Sequence, residues 1–558
     1  MTSTHSSIEG FMIHKKTVTR YLRIISVIAL LVIRTGIGHG QMHHHGEDTL
    51  GVVDFPISCM HTSQTEFNQA MTLLHHMTYP QAREAFQKIV EHDSSCAMAY
   101  WGIAMTLFQP VWPTRPSPTD LRRGWEVMQR ASSLGPPTVR EQLLVAATEA
   151  FFRVPELGDY WKRIRAWADG MEKCYTAFPA DHEVAALYAL ALVATVPPDQ
   201  ISSPNNARAA EILLHILKEN PRHPGAMHYL IHANDTPGRE HESLDILRVY
   251  EAIAPHNPHA LHMPTHIYTR LGNWPEVVRG NVKAAEAALE FPAGDQGQFV
   301  WDEFPHAIEY LVYAYLQMGA DDSAAAQLKR LQGTPRLEPT FKTAFHLSST
   351  KARYALERKA WNEAAAIEPR ESGQVVWQRF PWPEAIGWFA RGLGSGHIGN
   401  VAEAKRSLSR LGELEDVITK AKEELFMRNI RVLRLGLAAW VAHVEGLRDS
   451  SVILMTQAAE LETSTPKHAV TPGGTLPAYE LLGDLLLEQG KPSEASRAYK
   501  RSLQLYPFRF NSLLGAARAS VATDSSLTAE EYYRHLVDVA DFGSQREALR
   551  EAQRFLSR

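Results

Sequence analysis

Four of the 26 histidines share a spacing that could do chemistry. His228 and His232 are four residues apart, as are His262 and His266, and the second pair follows the first by 34 residues. Pro221 and Pro255 keep the same step, as do Gly238 and Gly272, so the two pairs hold equivalent places in successive repeats. Residues four apart on a helix lie one turn apart on the same face, with Cβ atoms about 5–6 Å apart, which makes each pair a two-armed ligand. Packed helices lie about 10 Å apart, a gap that imidazole arms from both sides can close, so all four are expected to meet at one ion. In the following repeat Gly319 serves as the turn glycine, Glu309 takes the place of the first histidine, and His306 lies one turn earlier, where His259 stands beside His262. The predicted metal ligands are therefore His228, His232, His262 and His266, with His306 and Glu309 completing the shell. Imidazole with carboxylate suits copper, zinc or iron, and also nickel or manganese, whereas magnesium and calcium prefer oxygen alone. No thiolate accompanies them, which argues against a structural zinc finger. Asp235, Asp302 and Glu303 are available to orient the imidazoles from behind.

The elements that must position these residues are helices. Near the C-terminus Gly483, Ala495, Tyr499, Ser502 and Pro507 fall at relative positions 0, 12, 16, 19 and 24. The small residue at position 0 allows close helix crossing, Gly490 lets the chain turn and Pro507 ends the second helix. This spacing resembles the tetratricopeptide repeat. Ala70, Ala82 and Phe86 reproduce the first three offsets, as do Gly392, Ala404 and Leu408, and Gly102 occupies the small slot of a repeat beginning at Cys96. Alternating strand patterns are missing, and segments such as 209–218 and 324–331 have helical apolar spacing. The expected fold is an all-α, tetratricopeptide-like α-solenoid of stacked helical hairpins, with curling toward a ring left open. Counting back from each turn glycine puts the histidines at the fifth and ninth places of a repeat's first helix, which line the concave groove in tetratricopeptide proteins generally. Glu480 and Asp484 hold the same places in the last recognisable repeat. They are read as a solvated acidic face, or as groups that approach the histidines if the ring closes. Stretches 111–118, 197–206, 291–298 and 463–476 read as loops between repeats.

Longer motifs carry a further resemblance. His223–Asp235 reads HPGAMHYLIHAND, residues 254–266 read APHNPHALHMPTH, and Lys467–Gly473 reads KHAVTPG. In these motifs the chain resembles, over nearly all its length after the N-terminal segment, a group of exported bacterial tetratricopeptide proteins. The resemblance implies architecture and no settled activity.

The N-terminus is of a different kind. Lys15, Lys16, Arg20 and Arg23 precede a ten-residue apolar run, Ile24–Ile33, and Gly38-His39-Gly40 offers a small-residue cleavage site before Gln41. This is a signal-peptide layout, and the run is too short to span a bilayer as a helix. Arg34 keeps an uncleaved anchor open, and Met12 is a second candidate start. The domain reading is a signal peptide at 1–40, a flexible segment at 41–60 containing His43, His44 and His45, a repeat array bearing the His pairs at 61–290, middle repeats at 291–380 and a C-terminal array at 381–558. The expected location is periplasmic or secreted. The whole chain has a formal net charge of −5; removing residues 1–40 takes five basic side chains and one acidic one, leaving about −9, which disfavours nucleic acid. Cys59 and Cys96 flank the first helical pair and are read either as a bridge that export permits or as free core thiols. The tryptophans, among them Trp101, Trp112, Trp274 and Trp301, read as packing between repeats.

Phosphate-loop, nucleophile-elbow and His-Glu-x-x-His motifs are missing, so no hydrolase is read from motif. The sequence points to an exported metalloprotein, with enzymatic activity left open and dependent on whether the ion keeps a position for substrate, water or oxygen. The alternative is a metal-free scaffold that takes a peptide or small molecule in its groove. The signal segment is the one expected contact with membrane.

Overall fold

The computed structural model describes residues 50–558 except 112–114, 154–159, 198–199, 202, 295, 371–372 and 541–542. The signal segment, the His43–His45 tract and Trp112 lie outside the described residues. Within them no helix is long and apolar enough to cross a membrane.

The chain is an all-α, tetratricopeptide-like solenoid. Helices come in antiparallel pairs, beginning with Ser63–His75 and Tyr79–His92, and each packs chiefly on its sequence neighbours. The pairing follows from an apolar stripe on each second helix and small residues at the crossings. Gly102 is one such crossing: a Cβ there would lie 2.4 Å from the Phe86 ring. The first helices are more evenly apolar because they are sandwiched between hairpins, as in Ala97–Phe108, where only Tyr100 is not fully buried. The segment 291–298, expected as a loop, begins a minimal antiparallel ladder in which Pro292 pairs with Val300 and Ala293 with Phe299.

One stretch departs from a simple helix. Pro264 has no N–H to donate, so the helix bearing the second His pair is divided into Pro258–His262 and Pro264–Arg270. Met263 between them keeps helical angles, φ −53° and ψ −42°, so His262 and His266 remain one turn apart on one face.

The C-terminal repeats fold back on the middle of the chain. Gly272, at φ +66°, lies so close to Pro507 that a Cβ would meet its carbonyl oxygen at 2.6 Å. Trp274 donates its indole N–H to the Phe508 carbonyl at 3.0 Å. The fully buried Arg509 guanidinium binds Glu357 at 2.8 Å and Glu480 at 3.0 Å. Glu480 is thus spent on Arg509 and Ser512, and Asp484 on Lys359 and Tyr499. Glu480 is buried in an ion-pair network, so it is neither part of a solvated face nor bonded to the histidine pairs.

Cys59 and Cys96 form a disulfide, and Cys174 is a buried free thiol. The bridge closes a loop with a sequence separation of 37, which in the chain-entropy account stabilises by about 4 kcal/mol. The double substitution Cys59→Ser, Cys96→Ser should therefore lower the urea midpoint of the N-terminal repeats, and a reductant should bring the wild-type protein to the same midpoint.

His397 supplies a pH-dependent contact away from the His pairs. Its ring stacks on Trp361 with centroids 3.6 Å apart and also meets Trp440. Burial, with help from Lys359 and His443, pulls its pKa down to about 3. Because the unfolded value is near 6.5, the unfolded chain takes up this proton first. The stabilisation is complete above about pH 6.5 and falls away as pH drops toward 3, with about 3 kcal/mol lost by pH 4. His397→Phe keeps the stack and should make the acid limb of a stability-versus-pH curve shallower, as measured by urea denaturation.

Candidate metal centre

The histidine pairs lie where the first helices of three successive hairpins meet, Pro224–Asn234, Pro258–Arg270 and Glu303–Gln317. His228, His259, His262, His266 and His306 are all at least 96% buried, and His232 is half-buried. Burial follows from the neighbours: Tyr250 stacks on His228 with centroids 5.7 Å apart, and Tyr310 stands edge-on to His262 at 4.6 Å.

Hydrogen-bond partners assign the proton of each ring. His228 Nδ1 donates to the His75 carbonyl oxygen at 2.6 Å. His262 Nδ1 donates at 2.6 Å to the Asn281 side-chain oxygen, whose orientation is set because the amide NH2 donates to the Val277 carbonyl. His266 Nδ1 donates to Asp235 at 2.9 Å and His259 Nδ1 to Glu303 at 3.2 Å. A carbonyl or carboxylate oxygen can only accept, so these four rings carry a hydrogen on Nδ1, and in a neutral ring that leaves the lone pair on Nε2. Burial reinforces the neutral state, pulling His228 and His262 well below the ordinary imidazole range and His266 to about 4.

Those lone pairs point at one another. His228 Nε2 lies 3.1 Å from His259 Nε2, and His262 Nε2 lies 2.9 Å from His266 Nε2. Two acceptors with no hydrogen between them repel, and a shared cation would relieve the contact. Nitrogens bound at 2.0–2.1 Å to one ion would lie roughly 2.9–3.4 Å apart for angles between 90° and tetrahedral. His232 Nε2 is likewise buried without a hydrogen-bond partner. The donor set fits a transition metal.

The geometry groups the predicted ligands differently from a single four-histidine site. Donor atoms of His228, His232 and His259 lie within 4.8 Å of one another, and so do those of His262, His266 and His306. Glu309 stands behind His306 in a relay: His306 Nδ1 meets His346 Nε2 at 2.9 Å, and His346 Nδ1 donates to Glu309 at 2.5 Å. Glu309 also accepts from Ser349 and from Arg353 at 2.6 and 2.8 Å. Burial pushes its carboxyl up, but His346, Arg353 and Ser349 outweigh this and hold it ionised. Of the expected orienting carboxylates, Asp235 and Glu303 take that place, whereas Asp302 binds Lys342 at 3.2 Å and Thr340 at 2.7 Å.

His259 and His346 were not among the predicted ligands, yet a signal for both exists. His259 and His306 each lie thirteen residues before a turn glycine of positive φ, Gly272 and Gly319. His346 lies thirteen before Lys359, whose φ of +53° makes the same turn without a glycine to mark it. In the preceding repeat that position is Gly225, and the His75 ring fills the gap, 2.3 Å from where a Cβ would stand.

All three long motifs converge on Asp235. Its carboxylate pairs with His266, with Arg270 and, at 2.8 Å, with Lys467 of the C-terminal motif. Burial alone would raise its pKa, but Lys467, Arg270 and His266 hold it well below the usual carboxylate range. Arg353, fully buried, donates to the carbonyls of Gly473 and Gly474 and holds that loop in place.

A neighbouring cluster of His75, Glu183 and His223 gives the contrast. His223 Nδ1 accepts from the Ala226 N–H at 3.1 Å, which leaves the hydrogen on Nε2; that nitrogen lies 3.3 Å from Glu183, an ion-pair distance without good hydrogen-bond alignment. His75 donates from Nε2 to Glu183 at 2.8 Å and accepts from the Tyr229 hydroxyl at 2.9 Å. Each of the two rings turns a proton toward the carboxylate and no lone pair opposes another, although His223 Nε2 lacks an aligned acceptor.

No family model matches the chain, and no curated protein is significantly similar to it. Among solved structures, yeast Tom70 aligns at 10% identity over 88% of this chain and 95% of its own, with a TM-score of 0.27. The APC/C hetero-tetramer Cut9-Hcn1 aligns at 11% identity over the same shares, with a TM-score of 0.25. Likeness at that level carries no argument, and the fold assignment rests on the helix pairing itself.

If Glu183 serves structure, Glu183→Leu should orphan two buried N–H groups and cost on the order of 3 kcal/mol. Glu183→Gln should cost well under that, because its amide can donate to His75 after a tautomer change while its oxygen accepts from His223. Thermal melting of the two variants checks the difference.

Proposed function

We propose that the protein is an exported tetratricopeptide-type metalloprotein whose paired His-x-x-x-His motifs hold a transition metal. The observation that carries this reading is the pair of buried Nε2-to-Nε2 contacts between imidazoles whose Nδ1 hydrogens are already given to oxygens, His228 with His259 and His262 with His266. Between neutral rings such a contact is repulsive, and it becomes attractive when an ion lies between the two lone pairs. The protein supports it further by pinning the Nδ1 hydrogens of His228, His259, His262 and His266 to oxygens, which orients those rings and raises the basicity of the ligating nitrogen. Export is supported by the signal-like N-terminus and by the Cys59–Cys96 bridge, since such bridges persist in oxidising compartments.

A bound ion would act as a Lewis acid or activate water or oxygen where its shell is left incomplete. Elemental analysis of protein purified without a histidine tag should find at least one equivalent of copper, zinc or iron per chain after dialysis. His262→Ala and His266→Ala should each reduce that content while far-ultraviolet circular dichroism stays unchanged. Wild-type protein that takes up no transition metal on reconstitution would leave a metal-free scaffold as the better account.

A further inference from the structure

Resting on that metal reading, we infer that the centre holds two ions side by side, each on three imidazoles, and that the pair is copper. One pocket is His228, His232 and His259; the other is His262, His266 and His306, and the two share no residue. Each contains one close Nε2 pair at the separation of two ligands on one ion, 3.1 Å in the first and 2.9 Å in the second. The pockets adjoin. The rings of His232 and His266 have centroids 6.4 Å apart, as do those of His259 and His262, so each pocket faces the other through two of its rings.

The charge of the surroundings selects the metal. All six donors are imidazoles, which add no charge to a bound ion, and the four carboxylates behind them, counting Asp302, face four cations. Asp235 has Arg270 and Lys467, Glu303 and Asp302 share Lys342, and Glu309 has Arg353. Nothing in the pockets offsets the repulsion between two neighbouring ions, which scales with the product of their charges and is fourfold smaller for two monovalent ions than for two divalent ones. Copper is the imidazole-binding metal with an accessible monovalent state, whereas paired iron or manganese draws on carboxylate ligands. Three donors leave each ion a position for a small oxygen ligand shared between them.

Anaerobic titration of the full-length apoprotein with cuprous ion, against a chromophoric cuprous chelator, counts the sites. The expected result is two ions per chain for the wild type, one for His259→Asn, one for His306→Asn and none for the double variant, with each fold checked by circular dichroism. X-ray absorption of the loaded wild type, which needs no variant to fold, should show about three nitrogen donors near 2 Å per copper and a copper neighbour within about 5 Å. One ion per chain, lost in both single variants, would overturn the two-ion arrangement and leave a metal centre standing. Two ions retained by both single variants would place them elsewhere and overturn it too. No bound ion of any transition metal would remove the metal reading along with the pair.

Discussion

The hydrogen bond from Nδ1 to an oxygen in four of the buried imidazoles, His228, His259, His262 and His266, is the constraint on which the rest of the centre depends. It decides the tautomer, turns the ring and leaves Nε2 as a bare acceptor in a place where water is excluded. Without it a buried histidine could swing to satisfy both nitrogens, as His75 does between Glu183 and Tyr229. With it, His228, His259, His262 and His266 have no second choice. The accepting oxygens come from four separate places in the chain: the His75 carbonyl, Glu303, Asn281 and Asp235. A solenoid that brings successive hairpins into register supplies all of them at once.

The cost of this arrangement is carried by ion pairs that reach across the array. Buried carboxylates are tolerable only when paired and hydrogen-bonded. Asp235 draws Lys467 in from the C-terminal repeats, and Glu309 draws Arg353, which in turn holds the 471–474 loop. Repeats in a simple solenoid touch their neighbours alone. Here Arg509 and the approach of Pro507 to Gly272 add contacts between distant repeats, so the histidine centre and the closure of the C-terminal arm depend on the same charges.

Much of the fold was legible in the residues themselves. The 34-residue step between His pairs, the turn glycines and the small residues at helix crossings are local signals with local physical causes. The two His-x-x-x-His pairs and His306 could be located because each lies at a definite distance from a glycine whose positive φ ends a helix. His346 escaped because Lys359 makes that turn in a residue type that gives no warning. The fate of Glu480 and Asp484 was also hidden, since Glu357, which shares Arg509 with Glu480, and Lys359, which binds Asp484, come from a helix hairpin more than a hundred residues earlier in the chain.

The sequence by itself determined that the chain is a helical repeat array and that two histidine pairs share a face, because helix periodicity and repeat length are written in residue spacing. Only the tertiary structure decided which histidines stand together. Helices of neighbouring repeats cross at an angle, so His259 is carried onto His228 and His306 onto His262, and one expected four-histidine site becomes two adjoining groups of three. It also decided that Glu309 supports His346 and is not itself turned to the pockets, because Arg353 and Ser349 occupy its other oxygen. Spacing along one helix specifies a face; what that face meets depends on how the helices stack.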